Sequence, residues 1–201
     1  EHIGILKHLY ILKIVIFVRK KTMDGVIMIR QETEEDFRQV QEVVRLAFQG
    51  VEESDHTEHL LVERLRRSDA YIPQLSLVAE TDGKIAGHVL LSEVKVVAGS
   101  DVHTVLSVAP LSVLPAYQRK GIGGMLLREA HKRALELGYG AVLLLGHEDY
   151  YPRFGYGRAS MLGIRFPFDA PDACCMAMEL KAGGLDGIHG MVHYPDAFGM
   201  E

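Results

Sequence analysis

Residues 111–124 constrain the fold of this chain more than any other segment, because a strand pattern, a glycine-rich turn and a helix pattern follow one another there. The apolar stretch His103–Val113 is typical of a strand. Ile122, Leu126 and Ala130 then recur at helical spacing on one face. The sequence therefore predicts a strand that leads through a turn directly into the N-terminus of a helix.

The turn has the features that an anion needs. A helix N-terminus leaves about four backbone N–H groups unpartnered and carries about half a positive charge. Gly121, Gly123 and Gly124 have no Cβ, so an anion can approach those N–H groups closely. Arg119 and Lys120 add positive charge beside them. These features indicate a diphosphate site, and the alternative is a glycine-rich helix start that binds nothing.

The glycine spacing argues against two common phosphate-binding motifs. Gly121-x-Gly123-Gly124 differs from the G-x-G-x-x-G of dinucleotide-binding folds, and no suitable acidic residue follows about 20 residues later. A P-loop is excluded as well, because no Gly-Lys-Ser/Thr follows the glycines.

The rest of the chain predicts an α/β domain with a mixed sheet. Asp82-Gly83 is a strong hairpin signal, and Ala141–Leu145 is an uninterrupted apolar run typical of a buried strand parallel to its predecessor. Residues 105–145 thus form a βαβ unit that follows antiparallel hairpins. The other predicted elements are a strand at 26–31, helices at 34–48 and 56–67, strands near 160–166 and 175–180, and a C-terminal tail.

Two motifs carry a resemblance to a known family. Gln118-x-x-Gly121-x-Gly123, preceded by Val113-x-Pro115, resembles motif A of the GNAT N-acetyltransferase superfamily, which binds pyrophosphate. The segment Tyr151-Pro-Arg-Phe-Gly-Tyr is similar to the Tyr-x-x-x-Gly-Phe segment after the next strand of that family, and the pattern of both motifs resembles a bacterial branch of predicted acetyltransferases. The resemblance implies the GNAT fold, in which a central mixed sheet splays apart at its two parallel strands and is flanked by helices.

The resemblance also implies the co-substrate, acetyl-CoA, and its binding residues. Backbone groups of β-strand residues would pair with the pantetheine arm, amides at the helix start would hold the pyrophosphate, and the thioester would lie between Val113 and Leu145. The cofactor-binding residues that it implies are Leu111, Ser112, Val113, Gln118, Arg119, Lys120, Gly121, Ile122, Gly123 and Gly124.

By the same resemblance, Tyr151 is the general acid that protonates the departing thiolate. A phenol has an unperturbed pKa of about 10, above the value of about 8.5 for a cysteine-type thiol, so it stays protonated at neutral pH. Tyr150 takes this role if the loop register differs, and packing against the cofactor is the alternative for Tyr151. The expected reaction is direct transfer of the acetyl group, in a ternary complex, to a primary amine of an unidentified small molecule, peptide or protein.

The general base is not determined by the sequence. His147 and Glu148 follow the strand that ends at Leu145, where ligands bind in open sheets, but many family members have an asparagine in this loop. A water chain or a functionless surface pair is an equal alternative. A non-catalytic acyl-CoA-binding sensor or interaction module is the competing function, and transfer to oxygen stays open.

Composition and charge limit the kinds of partner and ligand that the chain is expected to bind. The 201-residue chain has a formal net charge of −5, which argues against a nucleic-acid partner. His189 and His193 are four residues apart without a third ligand nearby, so no metal site is predicted. The neighbouring Cys174 and Cys175 would form a strained disulfide, and two free thiols in a reducing cytoplasm are expected.

The first 22 residues are interpreted as an extension of uncertain origin, and residues 23–201 as one N-acetyltransferase domain. The apolar stretch Leu9–Val18 is too short for a transmembrane helix, which needs about 20 apolar residues, so no membrane association is expected. A homodimer is compatible with the sequence, which does not decide the oligomeric state.

Overall fold

The computed structural model describes residues 18–22, 25–52 and 54–199. Within these ranges the strands are Val18–Thr22 (β1), Gly25–Gln31 (β2), Tyr71–Thr81 (β3), Lys84–Ala98 (β4), Asp101–Val113 (β5), Ala141–Leu145 (β6), Gly157–Arg158 (β7), Ile164–Arg165 (β8), Cys175–Glu179 (β9) and Gly190–His193 (β10). The α-helices are Phe37–Phe48 (α1), Glu58–Arg66 (α2) and Ile122–Glu136 (α3). Short 3₁₀ helices lie at Glu34–Asp36, Pro115–Tyr117, Tyr151–Phe154, Ala159–Leu162, Asp172–Cys174 and Asp196–Phe198.

The described strands form one mixed sheet in the order β1-β2-β3-β4-β5-β6-β9-β7. Neighbours from β1 to β5 are antiparallel, β5 and β6 are parallel, and β9 is antiparallel to both β6 and β7. The strand β10 pairs antiparallel with β4 and parallel with β8. The predicted α/β fold with a mixed sheet is confirmed.

The parallel pair β5–β6 separates along its length. The last paired residues are Ser107 on β5 and Leu143 on β6. Just beyond them β5 holds an extra residue, because Leu90 of β4 alone lies opposite Ala109 and Pro110. Such a bulge bends the strand, and proline has no N–H to donate to a neighbour. The strand β5 therefore continues with one edge open, as the splayed GNAT sheet requires.

Helices cover both faces of the sheet. The helix α1 buries Val40, Val43 and Val44, whose spacing places them on one side, and it packs with α2 against one face of β3, β4 and β5. The helix α3 buries Leu126 and Ala130 against the other face. The splayed end of β5 and β6 thus lies between two layers of helix.

One predicted strand is wrong. Ser160–Phe166 forms a 3₁₀ helix at Ala159–Leu162 and then a strand of two residues, β8. Gly163 has a φ of +73°, in the left-handed region, and this turn interrupts the extended pattern that the apolar residues suggested.

The C-terminal tail contains a strand that the sequence analysis missed. The strand β4 extends beyond its pairing with β3, which ends at Ser92, and β10 pairs with the part of β4 from Lys95 to Val97. Four residues, Gly190–His193, are too short a pattern to be recognised from sequence alone. The tail thereby returns to the face covered by α1 and α2.

The segment predicted as an extension is described only in part. Val18–Thr22 forms β1 and pairs antiparallel with β2, with Val18 opposite Ile29. Residues 1–17 lie outside the described part of the chain, and the boundary after residue 22 stays a prediction. In the described residues no helix has the length and apolar character needed to cross a membrane.

Candidate active site

The glycine-rich turn leaves backbone donors pointing out of the start of α3. Gly121 precedes the helix with a φ of +83°, and Arg119 also has a positive φ, of +62°. The first intrahelical hydrogen bond runs from the N–H of Met125 to the carbonyl of Gly121, and no side chain caps the helix. The N–H groups before Met125 are therefore directed toward a ligand at the helix N-terminus.

The end of β5 is fixed against this turn. The Nε2 of Gln118 donates a hydrogen bond to the carbonyl of Val113 over 3.2 Å. A Cβ placed on Gly123 would lie 3.7 Å from a methyl group of Val113 and 3.8 Å from one of Leu111. The structure thus brings the open edge of β5 and the helix N-terminus together, as predicted. Lys120 lies over the ring of Tyr117, 5.6 Å from its centre.

Ser112 differs from its two neighbours. It lies opposite His88 of β4, its side chain is buried on the face of α1 and α2, and its hydroxyl has no partner among the described residues. Only its backbone faces the groove, so its place in the predicted cofactor set rests on main-chain atoms.

Aromatic side chains form the second wall of the groove. A Cβ on Gly123 would lie 2.7 Å from the hydroxyl of Tyr150, and one on Gly124 would lie 3.2 Å from the ring of Phe154. Both glycines are therefore needed for close packing as well as for access to the amides. The guanidinium of Arg153 lies 3.9 Å from the ring centre of Tyr150, and that of Arg128 lies 5.3 Å from the ring centre of Phe154.

Sequence reasoning missed the two arginines as site residues. Arg153 lies inside the Tyr-Pro-Arg-Phe-Gly segment, so the sequence did contain a signal for its position beside Tyr150. Arg128 had no such signal, because its contact with Phe154 depends on a turn 26 residues later. The two cations increase the positive charge near the helix N-terminus.

Tyr151 is held deep in the same turn. Its ring lies directly against Gly146, where a Cβ would overlap it. It makes edge contacts with Tyr150 and Tyr156, at ring-centre distances of 5.0 and 5.7 Å. Burial raises the pKa of Tyr151, and the neighbouring Tyr150 raises it further, so the phenol keeps its proton at neutral pH.

Tyr156 and His131 lie behind Tyr151. The Tyr156 hydroxyl and Nε2 of His131 are 2.8 Å apart. Burial, and to a lesser extent Arg128, lowers the pKa of His131 to about 4, so the imidazole is neutral at pH 7. The neutral imidazole and the Tyr156 hydroxyl thus share one hydrogen bond, whose donor depends on the tautomer of His131.

The residues considered as a base lie apart from this buried group. His147 and Glu148 are exposed in the loop after β6, and no ion pair joins either to another described residue. Glu148 instead lines a cavity of about 280 Å³ with Asp149, Pro152 and Arg158. In the described ranges, no group of three or more His, Cys, Asp or Glu side chains is arranged to hold a metal ion.

A splayed mixed sheet with an anion-binding helix start at the gap defines the class of acyl-CoA-dependent N-acyltransferases. Residues 28–159 match the family described as acetyltransferase (GNAT) domain. The uncharacterized N-acetyltransferase YjhQ of Escherichia coli is 34% identical over 151 residues, covering 73% of this chain and 81% of that protein. YhbS of the same organism is 33% identical over 172 residues, covering 85% of this chain and 98% of YhbS.

Solved structures agree with this assignment. The crystal structure of YhbS in complex with CoA superposes with a TM-score of 0.77 at 30% identity, over 86% of this chain and 92% of YhbS. A GNAT acetyltransferase from Brucella melitensis in complex with acetyl-CoA has a TM-score of 0.70 at 33% identity, over 86% of this chain and 97% of that one. The chain belongs to the GNAT acetyltransferase family.

Proposed function

We propose that this protein transfers the acetyl group of acetyl-CoA to a primary amine, by direct attack in a ternary complex, with Tyr151 as the general acid. The observation that carries the proposal is the convergence of three features on one groove. These are the open edge of β5, the uncapped N-terminus of α3 and the buried phenol of Tyr151. An acyl-CoA needs all three, since its pyrophosphate, its pantetheine arm and its thioester sulfur lie in succession.

The residues fit acetyl-CoA in detail. Main-chain groups of Leu111 and Val113 on the open edge of β5 would pair with the pantetheine amides as an added strand does. The amides between Arg119 and Gly124 would hold the pyrophosphate, with Arg119 and Lys120 as nearby cations. YhbS with CoA and the Brucella melitensis protein with acetyl-CoA support this choice of co-substrate.

In the transfer, the amine nitrogen forms a bond to the thioester carbon, and the carbon–sulfur bond then breaks. The amine must be neutral when it attacks, so an ammonium group first releases one proton to solvent or to a base. After the attack the nitrogen releases a second proton in the same way as it becomes the amide. Tyr151 donates its phenolic proton to the departing thiolate and regains a proton from solvent. Its buried position against Gly146 supports this role, because burial keeps the phenol protonated.

A non-catalytic acyl-CoA-binding module is the second candidate, and the exposure of His147 and Glu148 is the observation that favours it. Turnover separates the two candidates. Acetyl-CoA should raise the melting temperature while NAD leaves it unchanged, and a panel of primary amines should release CoA from acetyl-CoA. Stabilisation without CoA release from any amine would favour the module.

The expected location is the cytoplasm. The two cysteines, Cys174 and Cys175, are both free thiols, which agrees with a reducing compartment. Fractionation of the cells that produce the protein would test this expectation.

A further inference from the structure

A pair of serines marks the point where β5 and β6 separate. Ser107 is the last residue of β5 that pairs with β6, and Ser92 of β4 lies directly opposite it. Residues that are directly opposite in a strand pair share one face of the sheet. Leu90, two positions from Ser92, packs with the helices α1 and α2, so both serines face that layer.

The C-terminal segment, residues 190–199, packs on the same face of the sheet as these serines. Tyr194 packs beside the core formed by β5, β6 and β9, whereas Phe198 packs with α1 and α2. The Nε of Arg64 donates a hydrogen bond to the carbonyl of Ala197 over 2.7 Å, which fastens the segment to α2. The cluster against which Tyr194 packs includes Val105, two positions from Ser107 on β5, and Leu143, which lies opposite Ser107 on β6. Tyr194 therefore lies near the start of the gap between β5 and β6.

Ser92 carries an unused hydroxyl at the same place. The residue is fully buried, and its Oγ has no hydrogen-bond partner among the described residues. Buried hydroxyl groups in folded proteins nearly always have a partner, so one without a partner calls for a ligand atom or a water molecule. Ser107, its neighbour across the strand pair, lies on the face of the sheet against which Tyr194 packs.

The face of the sheet from which a second substrate approaches the thioester connects the Ser92 hydroxyl with the reaction. The helix α3 and the turn that bears Tyr151 occupy the opposite face of the sheet, where the cofactor groove lies. A thioester held in the gap between β5 and β6 is thus open to a second substrate from the face of Ser92 and Ser107. On that face the C-terminal segment packs beside α1 and α2 and against the core formed by β4, β5 and β6.

We propose that the hydroxyls of Tyr194, Ser107 and Ser92 form the polar floor of the acceptor site and bind the acceptor's amino group, and that the rings above them select an amine with an apolar or aromatic substituent. This inference rests on the proposed acetyl transfer. The aromatic wall consists of Phe166, Phe168, Tyr194 and Phe198, with ring-centre distances of 5.6 Å from Phe166 to Phe168, 5.7 Å from Phe168 to Tyr194 and 4.6 Å from Tyr194 to Phe198.

The chemistry of this wall explains the choice of substituent. Partly exposed ring faces bind apolar groups by burial, and they attract an ammonium group before it loses its proton. The serine and tyrosine hydroxyls both donate and accept hydrogen bonds, so they hold an amino group in either protonation state.

The experiment measures binding of two probe amines to the protein saturated with CoA, by titration calorimetry. We expect 2-phenylethylamine to bind at least tenfold more tightly than ethanolamine. Tyr194→Phe and Ser107→Ala should each weaken 2-phenylethylamine at least fivefold while the affinity for CoA stays within twofold. Tyr139→Phe is the matched control, since it also removes a phenol hydroxyl with a partner, here Glu93, which follows Ser92 on β4 and so faces the opposite side of the sheet.

Ser92→Ala separates binding from a structural role. Because the Ser92 hydroxyl has no partner, its removal should leave the melting temperature equal or higher and still weaken 2-phenylethylamine. Equal affinity for the two amines, no binding of 2-phenylethylamine, or unchanged affinity in all three site variants would overturn the inference. Binding with the expected losses but no CoA release would count against the acetyl transfer alone, and acetylation that the variants leave unchanged would count against the acceptor site alone.

Discussion

A hydrogen bond of 2.8 Å joins the hydroxyl of Tyr156 to Nε2 of His131 and ties the end of the turn at 151–156 to the middle of α3. Tyr156 in turn supports the edge of the Tyr151 ring. The position of the proposed general acid thus depends on a histidine that stays neutral.

This pair gives the protein a pH-dependent stability. Burial lowers the pKa of His131 to about 4 in the folded state, below its usual value of 6.5. As the pH falls, His131 is therefore protonated first in the unfolded chain. Its contribution to the free energy of unfolding is fully present above pH 6.5 and declines as the pH falls toward 4. The loss is at most about 3 kcal/mol, since one pKa unit corresponds to about 1.4 kcal/mol. Urea unfolding at pH 7 and pH 5 measures it.

Replacement of the histidine provides the check on this pH effect. His131→Gln keeps an acceptor for Tyr156 but does not titrate, so its stability should fall less between pH 7 and pH 5 than that of the wild type. His189→Gln, at an exposed histidine, should retain the wild-type difference. A similar pH response in His131→Gln and the wild type would contradict the role of His131.

Tyr151→Phe should slow transfer without weakening the binding of acetyl-CoA. The ring would keep its contacts with Gly146 and Tyr156, and only the proton donor would be lost. General acid catalysis is typically worth about 10²–10⁴-fold, so kcat should fall within that range. Tyr150→Phe is the matched variant, since Tyr150 is the alternative donor. A larger loss of kcat in Tyr150→Phe than in Tyr151→Phe would move the acid to Tyr150.

Gly123→Ala should reduce the affinity for acetyl-CoA at least tenfold, because the new methyl group would stand where the anion approaches the amides. It should also destabilise the protein, since the Cβ would lie 2.7 Å from the Tyr150 hydroxyl. Isothermal titration with acetyl-CoA and thermal melting measure the two effects. Gly50→Ala is the control, because nothing lies within 4 Å of the added Cβ there.

A double variant separates these two effects. Tyr150→Phe in the Gly123→Ala background removes the hydroxyl that the methyl group meets, so the melting temperature should recover. The affinity for acetyl-CoA should stay low, because the methyl group still covers the helix N-terminus. Recovery of both would mean that Gly123 is needed only for packing against Tyr150.

Local patterns were sufficient to predict the strand, the turn and the helix start on which the proposed cofactor site lies. The turn at 118–124 is contiguous in sequence, and Gln118 in it donates a hydrogen bond to Val113, five residues earlier. The Asp82-Gly83 hairpin and the parallel strand β6 were predictable for the same reason, since each is defined by a short apolar pattern with clear ends.

The acceptor side depends on contacts between distant parts of the chain. Tyr194 is brought to the core beside β5 and β6 because β10 pairs with β4, and that strand is too short to recognise before the sheet is known. A buried charge is equally hard to foresee. Glu32 directly follows β2, and its partner Arg66 is 34 residues away at the end of α2.

Glu32→Gln should cause the largest loss of stability among these variants. The carboxylate is buried and lies 2.7 Å from Nη2 of Arg66, and it also accepts hydrogen bonds from Tyr71 over 2.9 Å and Ser76 over 2.5 Å. Burial alone would raise the pKa of Glu32, but contacts with His88 and Arg66 bring its pKa well below the usual value. The carboxylate therefore stays charged, and its replacement leaves the guanidinium of Arg66 buried without a counter-ion.

Breaking a buried pair from one side costs about 3–5 kcal/mol, and urea unfolding at pH 7 should show a loss of that size for Glu32→Gln. Glu42→Gln, which breaks the exposed pair with Arg45, should leave the unfolding midpoint unchanged, because solvent screens such pairs.

The depressed pKa also determines how the effect of Glu32 depends on pH. The contribution of Glu32 to the free energy of unfolding is fully present above the usual carboxyl range and is lost only in strong acid, since the folded carboxylate resists protonation. The stability difference between the wild type and Glu32→Gln should accordingly be as large at pH 6 as at pH 7, and a difference that vanishes at pH 6 would contradict the charged state of Glu32.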